Sequence, residues 1–316
     1  MTLDELYPEG RIVLREVALR DGLQMVSRFP STAGKKRWIE AEYAAGVRYF
    51  DLGSFLPAAH HPQFADIREL VALAASLPGA VGSALILNKR GAHDALDSGV
   101  PQIDGVVSAT EAHSERNVRR SRAQAIQEIA DLCRMRDGSA HRPVVSAGVA
   151  MAFGCSITGP VDPNEVYHLI EALLEAGVDL VSVADTVGYA GPDQVAAMVE
   201  RVVAMAGGRP VGIHLHDTRG LGLANAAAAL DAGATVFDGA LGGLGGCPAA
   251  PKATGNIVFE DLVFLCQTKG IDTGIDLERL VAIRAIQAEE MPDETTYGAI
   301  AKAGLPIGHR PAGAPS

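Results

Sequence analysis

The chain has 316 residues, 48% hydrophobic and 21% charged, the profile of an ordinary globular protein with ample material for a large core. A formal net charge of −11 without a dense basic tract sets nucleic acid and anionic membrane surfaces aside as partners, while leaving room for one basic pocket that takes a phosphorylated ligand. No run of about 18 apolar residues is present to span a bilayer. The opening MTLDELYPEGR lacks the basic and apolar regions of a secretory signal, and the closing APS is not a peroxisomal address. The cysteines (Cys133, Cys155, Cys247 and Cys266) show no CxxC spacing, so reduced thiols in a cytoplasmic protein are expected.

Taken in chain order, short apolar runs alternate with amphipathic stretches. Strands are predicted near 11–19 (RIVLREVAL), 47–53, 80–87 (AVGSALIL), 103–109, 143–152 (PVVSAGVAMA), 178–184, 210–216 and 234–240. Helical patterns lie between them near 31–45, 63–76, 89–97, 117–136, 162–175, 191–206 and 218–231, with an eighth near 256–269. One phrase recurs: AAGVRYFDL at 44–52, AGVDLVSVA at 176–184, AGATVFDGA at 232–240, and SGVPQIDGVV at 98–107 with looser spacing. Glycine just past a helical pattern is a C-cap signal, and the nearly continuous apolar run after it is how a buried parallel strand reads. Eight such units across about 260 residues are the arithmetic of a (β/α)8 TIM barrel, with an open doubly wound sheet as the alternative. The expected organisation is a catalytic barrel over 1–270 and a C-terminal extension over 271–316, its Gly/Pro-rich tail partly disordered.

A barrel gathers its chemistry at the C-terminal ends of its strands. Strand one ends in Arg20-Asp21, strand two in Asp51, strand six in Asp185-Thr186, and strand seven in His214, His216 and Asp217. After strand two come His60 and His61 in a proline-flanked loop, where adjacent residues alternate faces and a surface position is expected. His214 and His216 stand at i and i+2, which puts both imidazoles on one face of a strand, as half of a metal site needs. Asp, His and Asn at one rim suit Mg²⁺ or Mn²⁺. The plainer reading of Asp185 and Asp217, each followed by Thr, is helix capping. Cys133 and Cys266 read as small hydrophobes, and Cys155, just past strand five, is left open. Residues 241–255 hold five glycines, two prolines and Cys247. A loop that long in a barrel is more often functional than idle, and GLGG without GKS/T is a weak phosphate signal.

LRDGLQ at strand one, HLHDTRGLGLAN at strand seven and GLGGCP…ATGN after strand eight resemble the 3-hydroxy-3-methylglutaryl-CoA lyase family, in matching order over most of residues 11–275. GGCP, and GLQ rather than GEQ, point to the lyases rather than the related isopropylmalate and homocitrate synthases. The resemblance implies a retro-Claisen cleavage of an acyl-CoA to acetyl-CoA and a keto acid. It implies Asp21, His214, His216 and Asn256 as ligands of Mg²⁺ or Mn²⁺, and Asp21 or a metal-linked group as the base. It further implies Arg20 at the enolate oxygen and Cys247 as a proton donor on a loop closing over the site. Asp51, Asp185 and Glu260 match family carboxylates that organise the site.

Several substrate-side positions depart from that pattern. Asp51 is one methylene shorter than the family's glutamate, and Ser146 stands where strand five carries an arginine. AAHHPQF replaces a stretch with a lysine–tryptophan pair, and AAPKA follows GGCP in place of Tyr-Ala-Gln. The reaction expected is thus cleavage of 3-hydroxy-3-methylglutaryl-CoA, with citramalyl-CoA, cleaved to acetyl-CoA and pyruvate, as the alternative. A metal-dependent hydrolase is disfavoured because HxH falls on the seventh strand rather than the first, and a silent binding protein because every ligand position is filled. A homo-oligomer, most simply a dimer, is expected.

Overall fold

The computed structural model describes residues 2–245 and 255–309. Eight parallel strands close into a barrel: β1 (Val13–Glu16), β2 (Tyr49–Ser54), β3 (Val81–Leu85), β4 (Gln102–Ser108), β5 (Val144–Ala150), β6 (Leu180–Asp185), β7 (Val211–Leu215) and β8 (Val236–Gly239). β8 returns to pair with β1, Val13 opposite Val236 and Glu16 opposite Gly239, which removes any open edge and rules out the doubly wound alternative.

The recurrent glycines explain themselves in this frame. Gly46, Gly99, Gly177 and Gly233 all have positive φ, between 76° and 104°, where an L side chain is strained. At Gly46 a Cβ would also collide with the carbonyl oxygen of Gly274. Each glycine stops a helix and turns the chain into the next strand. Pro163–Glu175 is representative: Asp162 caps it by accepting from the Asn164 N–H, a proline opens it, and Val166, Leu169, Ile170 and Leu173 bury one face against the barrel. Burying each of those side chains contributes about 1.5–3 kcal/mol.

The N-terminal end of the barrel is plugged. Leu6 and Tyr7 pack with Val13, Tyr49, Val81, Val144, Leu180 and Val236. Tyr49 donates its hydroxyl to the Leu6 carbonyl at 2.6 Å. A short helix, Leu3–Leu6, held by a Thr2–Glu5 capping box, carries this plug, and the periodicity did not announce it. Among the described residues this cluster closes the N-terminal end of the barrel interior.

Two boundaries differ from the sequence reading. The pattern near 117–136 is two helices, Glu111–Val118 and Arg122–Asp137, broken where Arg119 adopts φ 55°. Asn256 precedes the last barrel helix, Phe259–Thr268, instead of lying inside it. Residues beyond 271 form the helices Leu277–Ala282, Arg284–Glu290 and Ala299–Ala303. They are tied to the barrel: Tyr297 N–H donates to the Gly242 carbonyl at 2.8 Å, and Asp261 accepts from the N–H groups of Ala299 and Ile300. Residues 310–316 of the expected disordered tail lie outside the described residues. No described helix is long and apolar enough to cross a membrane.

Candidate active site

Alternation along β7 aims His214 and, just past its end, His216 into the barrel mouth, while Ile213 and Leu215 are buried behind them. The two Nε2 atoms lie 3.1 Å apart. Asp21 reaches them from across the barrel, its Oδ2 3.7 Å from His214 Nε2 and 3.5 Å from His216 Nε2. Asp21 owes its position to a tight turn after β1, in which the N–H groups of Arg20, Asp21 and Gly22 all donate to the Val17 carbonyl. Asn256 pairs with His216 in an isolated antiparallel bridge. Its Nδ2 donates to Asp21 Oδ2 at 2.9 Å and to the Leu244 carbonyl at 3.0 Å. Its Oδ1 is buried without a hydrogen-bond partner among the described residues.

These are the features a cation site needs. Among the described residues, Asp21, His214 and His216 are the group of ionisable side chains that could jointly hold a metal ion. Asp238 on β8 accepts from His214 Nδ1 at 2.9 Å, which leaves the lone pair of a neutral imidazole on Nε2, the atom that faces Asp21. The partnerless Asn256 Oδ1 is a fourth donor in search of a positive charge, and its desolvation is costly unless one arrives.

Arg20 sits between two carboxylates. Its Nη1 donates to Asp21 Oδ1 at 2.5 Å and its Nε to Asp51 Oδ2 at 2.6 Å. Burial alone raises a carboxyl pKa, but at Asp21 it is outweighed by Arg20 and the two imidazoles, and the group lies well below the usual range. At Asp51 burial wins over Arg20 and pushes the pKa up to about 6. Asp51 Oδ1 has no partner among the described residues.

Beneath the imidazoles runs a network that sequence reading missed. Arg15 on β1 donates through Nε and Nη2 to the two oxygens of Asp238, at 2.8 and 3.0 Å, and through Nη1 to Asp104 Oδ2 at 3.1 Å. Gln102 Nε2 completes the coordination of Asp104 at 2.7 Å. The signal was present in period two: Arg15, Asp104 and Asp238 each sit at an inward position of an apolar strand, where a charge needs a partner.

The remaining sequence candidates fall elsewhere. Asp185 does not face the triad; its oxygens accept from the N–H groups of Tyr189 and Ala190, bracing the loop after β6. Glu260 is fully occupied by Arg284 Nε at 2.5 Å and Gly242 N–H at 3.0 Å, so it ties the C-terminal extension to the loop after β8. Asp217 accepts from Gly222 N–H at 2.7 Å, in the first turn of the next helix, as the capping reading has it. His60 is exposed, and His61 stacks on Phe64 at the surface. Cys155 is buried, its sulfur accepting from the Thr110 hydroxyl at 3.2 Å. Cys247 lies outside the described residues.

A family model described as HMGL-like matches residues 11–286. Hydroxymethylglutaryl-CoA lyase YngG of Bacillus subtilis is 34% identical over 289 residues, covering 90% of this chain and 94% of its own. (R)-citramalyl-CoA lyase of Chloroflexus aurantiacus is 37% identical over 285 residues, covering 86% and 88%. Among solved structures, an HMG-CoA lyase from Acinetobacter baumannii in complex with coenzyme A and 3-methylmalate superposes with a TM-score of 0.86 at 34% identity, over 98% of this chain and 99% of that one. The fold, the family match along most of its length and relatives that are carbon–carbon lyases agree: the chain belongs to the HMGL-like family.

Proposed function

We propose that this protein cleaves 3-hydroxy-3-methylglutaryl-CoA to acetyl-CoA and acetoacetate, using a divalent cation, Mg²⁺ or Mn²⁺, held by Asp21, His214, His216 and Asn256. The observation that carries the reading is the convergence of Asp21 with both Nε2 atoms beside Asn256 Oδ1, partnerless among the described residues, at the C-terminal end of the barrel strands. A cation bound there supplies Lewis acidity, lowering the pKa of a substrate hydroxyl. Asp21, held ionised by Arg20 despite its burial, is the base we assign to that hydroxyl. Removing the hydroxyl proton turns C–O into a carbonyl and sends the electrons of the adjacent C–C bond into a thioester enolate. The enolate oxygen needs a fixed cation, and Arg20 meets that need because Asp51 and Asp21 hold its guanidinium from two sides. Cys247 is the acid we assign to reprotonating the enolate carbon. Asp185 and Glu260 support the mouth through the loops they brace.

Citramalyl-CoA is the second reading. It is favoured by the 37% identity with the Chloroflexus enzyme and by Ser146 in the position where the resemblance calls for arginine. Product analysis by mass spectrometry separates the two: each acyl-CoA is incubated with Mg²⁺, Mn²⁺ or excess chelator. Metal-dependent acetyl-CoA with acetoacetate is expected from the first substrate. Acetyl-CoA with pyruvate from only the second transfers the assignment, and no acetyl-CoA from either removes it.

A further inference from the structure

A line of polar side chains joins the N-terminal plug to the candidate cation site. The Tyr7 hydroxyl donates to Gln102 Oε1 at 2.5 Å, and Gln102 Nε2 donates to Asp104 Oδ1 at 2.7 Å. Arg15 Nη1 donates to Asp104 Oδ2 at 3.1 Å, while its Nε and Nη2 reach the two oxygens of Asp238. Asp238 Oδ2 then accepts from His214 Nδ1 at 2.9 Å. Every residue of the line below His214 is buried. Tyr7 belongs at the same time to the apolar cluster that closes the barrel, so the line starts at the far end from the imidazoles.

The donor–acceptor sense of the line is fixed. Both Asp104 oxygens accept, so Gln102 has to turn its NH₂ toward Asp104 and its carbonyl toward Tyr7. A phenol hydroxyl can donate or accept, and here Tyr7 has to donate. Removing that hydroxyl leaves the Gln102 carbonyl buried without its donor, and nothing then holds the amide to Asp104 in preference to turning away. Asp104 in turn grips one arm of the guanidinium whose other two nitrogens carry Asp238. The charges do not cancel. Two carboxylates share the one Arg15 guanidinium, which leaves a negative charge beneath His214. In a buried setting that charge acts on a nearby cation far more strongly than it does in water.

We infer that Asp104, Gln102 and Tyr7 are positioning residues for the divalent cation: they hold Arg15, and through it Asp238 and the His214 ring, in one arrangement, and Asp104 adds the negative charge that favours cation binding. This rests on the cation reading above and carries it from the mouth to the opposite end of the barrel. Asp104→Asn separates charge from geometry. With its carbonyl kept on Arg15, the substituted amide gives its NH₂ to Gln102, which turns over to accept it. The Gln102 NH₂ then meets the Tyr7 oxygen, which can accept as well as donate. Each group in the line stays paired, and one negative charge is gone. Tyr7→Phe does the reverse, keeping every charge and breaking the line at its first bond.

The test is isothermal titration of Mn²⁺ into the metal-free full chain, for the parent, Asp104→Asn, Tyr7→Phe and Val144→Ala. The last removes apolar packing from the same plug and no polar group, so it reports what loosening alone does. Asp104→Asn is expected to raise the Kd about tenfold and Tyr7→Phe about threefold. Val144→Ala is expected to lower Tm while leaving the Kd within about twofold. At saturating Mn²⁺ the kcat of Asp104→Asn is expected to return to within about threefold of the parent, because Arg20 and Asp21 keep their bonds. Tyr7→Phe decides the matter if Asp104→Asn does not fold. Parent-like Kd values in both variants overturn the inference and leave the cation reading standing. Val144→Ala that weakens Mn²⁺ as much as Tyr7→Phe overturns it too, since packing alone then explains the effect. So does a kcat that stays more than tenfold low at saturating Mn²⁺. A parent that binds no Mn²⁺ overturns the cation reading and the inference together, whereas a parent that binds Mn²⁺ yet releases no acetyl-CoA removes only the retro-Claisen reading.

Discussion

Asp238→Asn isolates the link between the buried network and the site. Asp238 is an acceptor at both oxygens, taking two bonds from Arg15 and one from His214 Nδ1. An amide of the same shape cannot do this. With its NH₂ turned to Arg15 Nε, two donors confront each other. Turned the other way, the NH₂ meets both Arg15 Nη2 and His214 Nδ1, and the imidazole must move its proton to Nε2, the atom aimed at the cation position. Either arrangement weakens the cradle, the second by removing a ligand outright. Loss of such an outer partner costs about 10- to 100-fold in metal affinity, or about 1.4–2.7 kcal/mol. Isothermal titration with Mn²⁺ reads this directly, without turnover. Thermal unfolding of the metal-free variant checks that the barrel survives, since Arg15 keeps Asp104 as a partner. A folded Asp238→Asn protein that binds Mn²⁺ as tightly as the parent would refute the argument that Asp238 sets the His214 tautomer.

Three further outcomes follow from the geometry. Arg20→Lys keeps the charge but cannot bridge Asp51 and Asp21 as a guanidinium does, so kcat is expected to fall about 10²- to 10³-fold with Mn²⁺ affinity nearly unchanged; a kcat within threefold of the parent removes Arg20 from the enolate. Glu16, buried near Glu260 and Asp51, has its pKa pushed up to about 8. The native state therefore holds a proton that the unfolded chain releases near pH 4.5, and this contribution to stability is present below that pH and lost as pH rises through 8. Glu16→Gln keeps the acceptor for Leu241 and Ala18 N–H and is expected to flatten that decline by up to about 1.4 kcal/mol per pH unit; denaturant unfolding at several pH values that shows parallel slopes contradicts it. Ile170→Ala, fully buried beneath β5 and β6, is expected to cost about 2–5 kcal/mol in urea unfolding, while an exposed change at Glu171 costs almost nothing.

Much of the site was legible because its spacing is local. His214 and His216 share a face by strand alternation alone, and Arg20-Asp21 ends a strand whose pattern is plain. Local order does not report where a carboxylate's lone pairs are spent. The family resemblance marks Asp185 and Glu260 as carboxylates that organise the site, and their oxygens are taken by Tyr189, Ala190, Gly242 and Arg284, groups between 4 and 24 residues away. Asp238 went unnoticed for the converse reason: nothing near it in the chain says that β8 closes onto β1 and sits beside β7.

By itself, then, the sequence determined the alternation of elements, the glycines that end the helices, and the presence of a two-histidine strand end, since each depends on residues within a few positions of one another. Closure of the barrel determined the rest. It brought Asp21 to His214 and His216 across the mouth, and stacked Arg15 under Asp238 and Asp104. Those outcomes depend on strand order and shear, which place residues from distant segments within hydrogen-bonding range and are set by the packing of the whole chain.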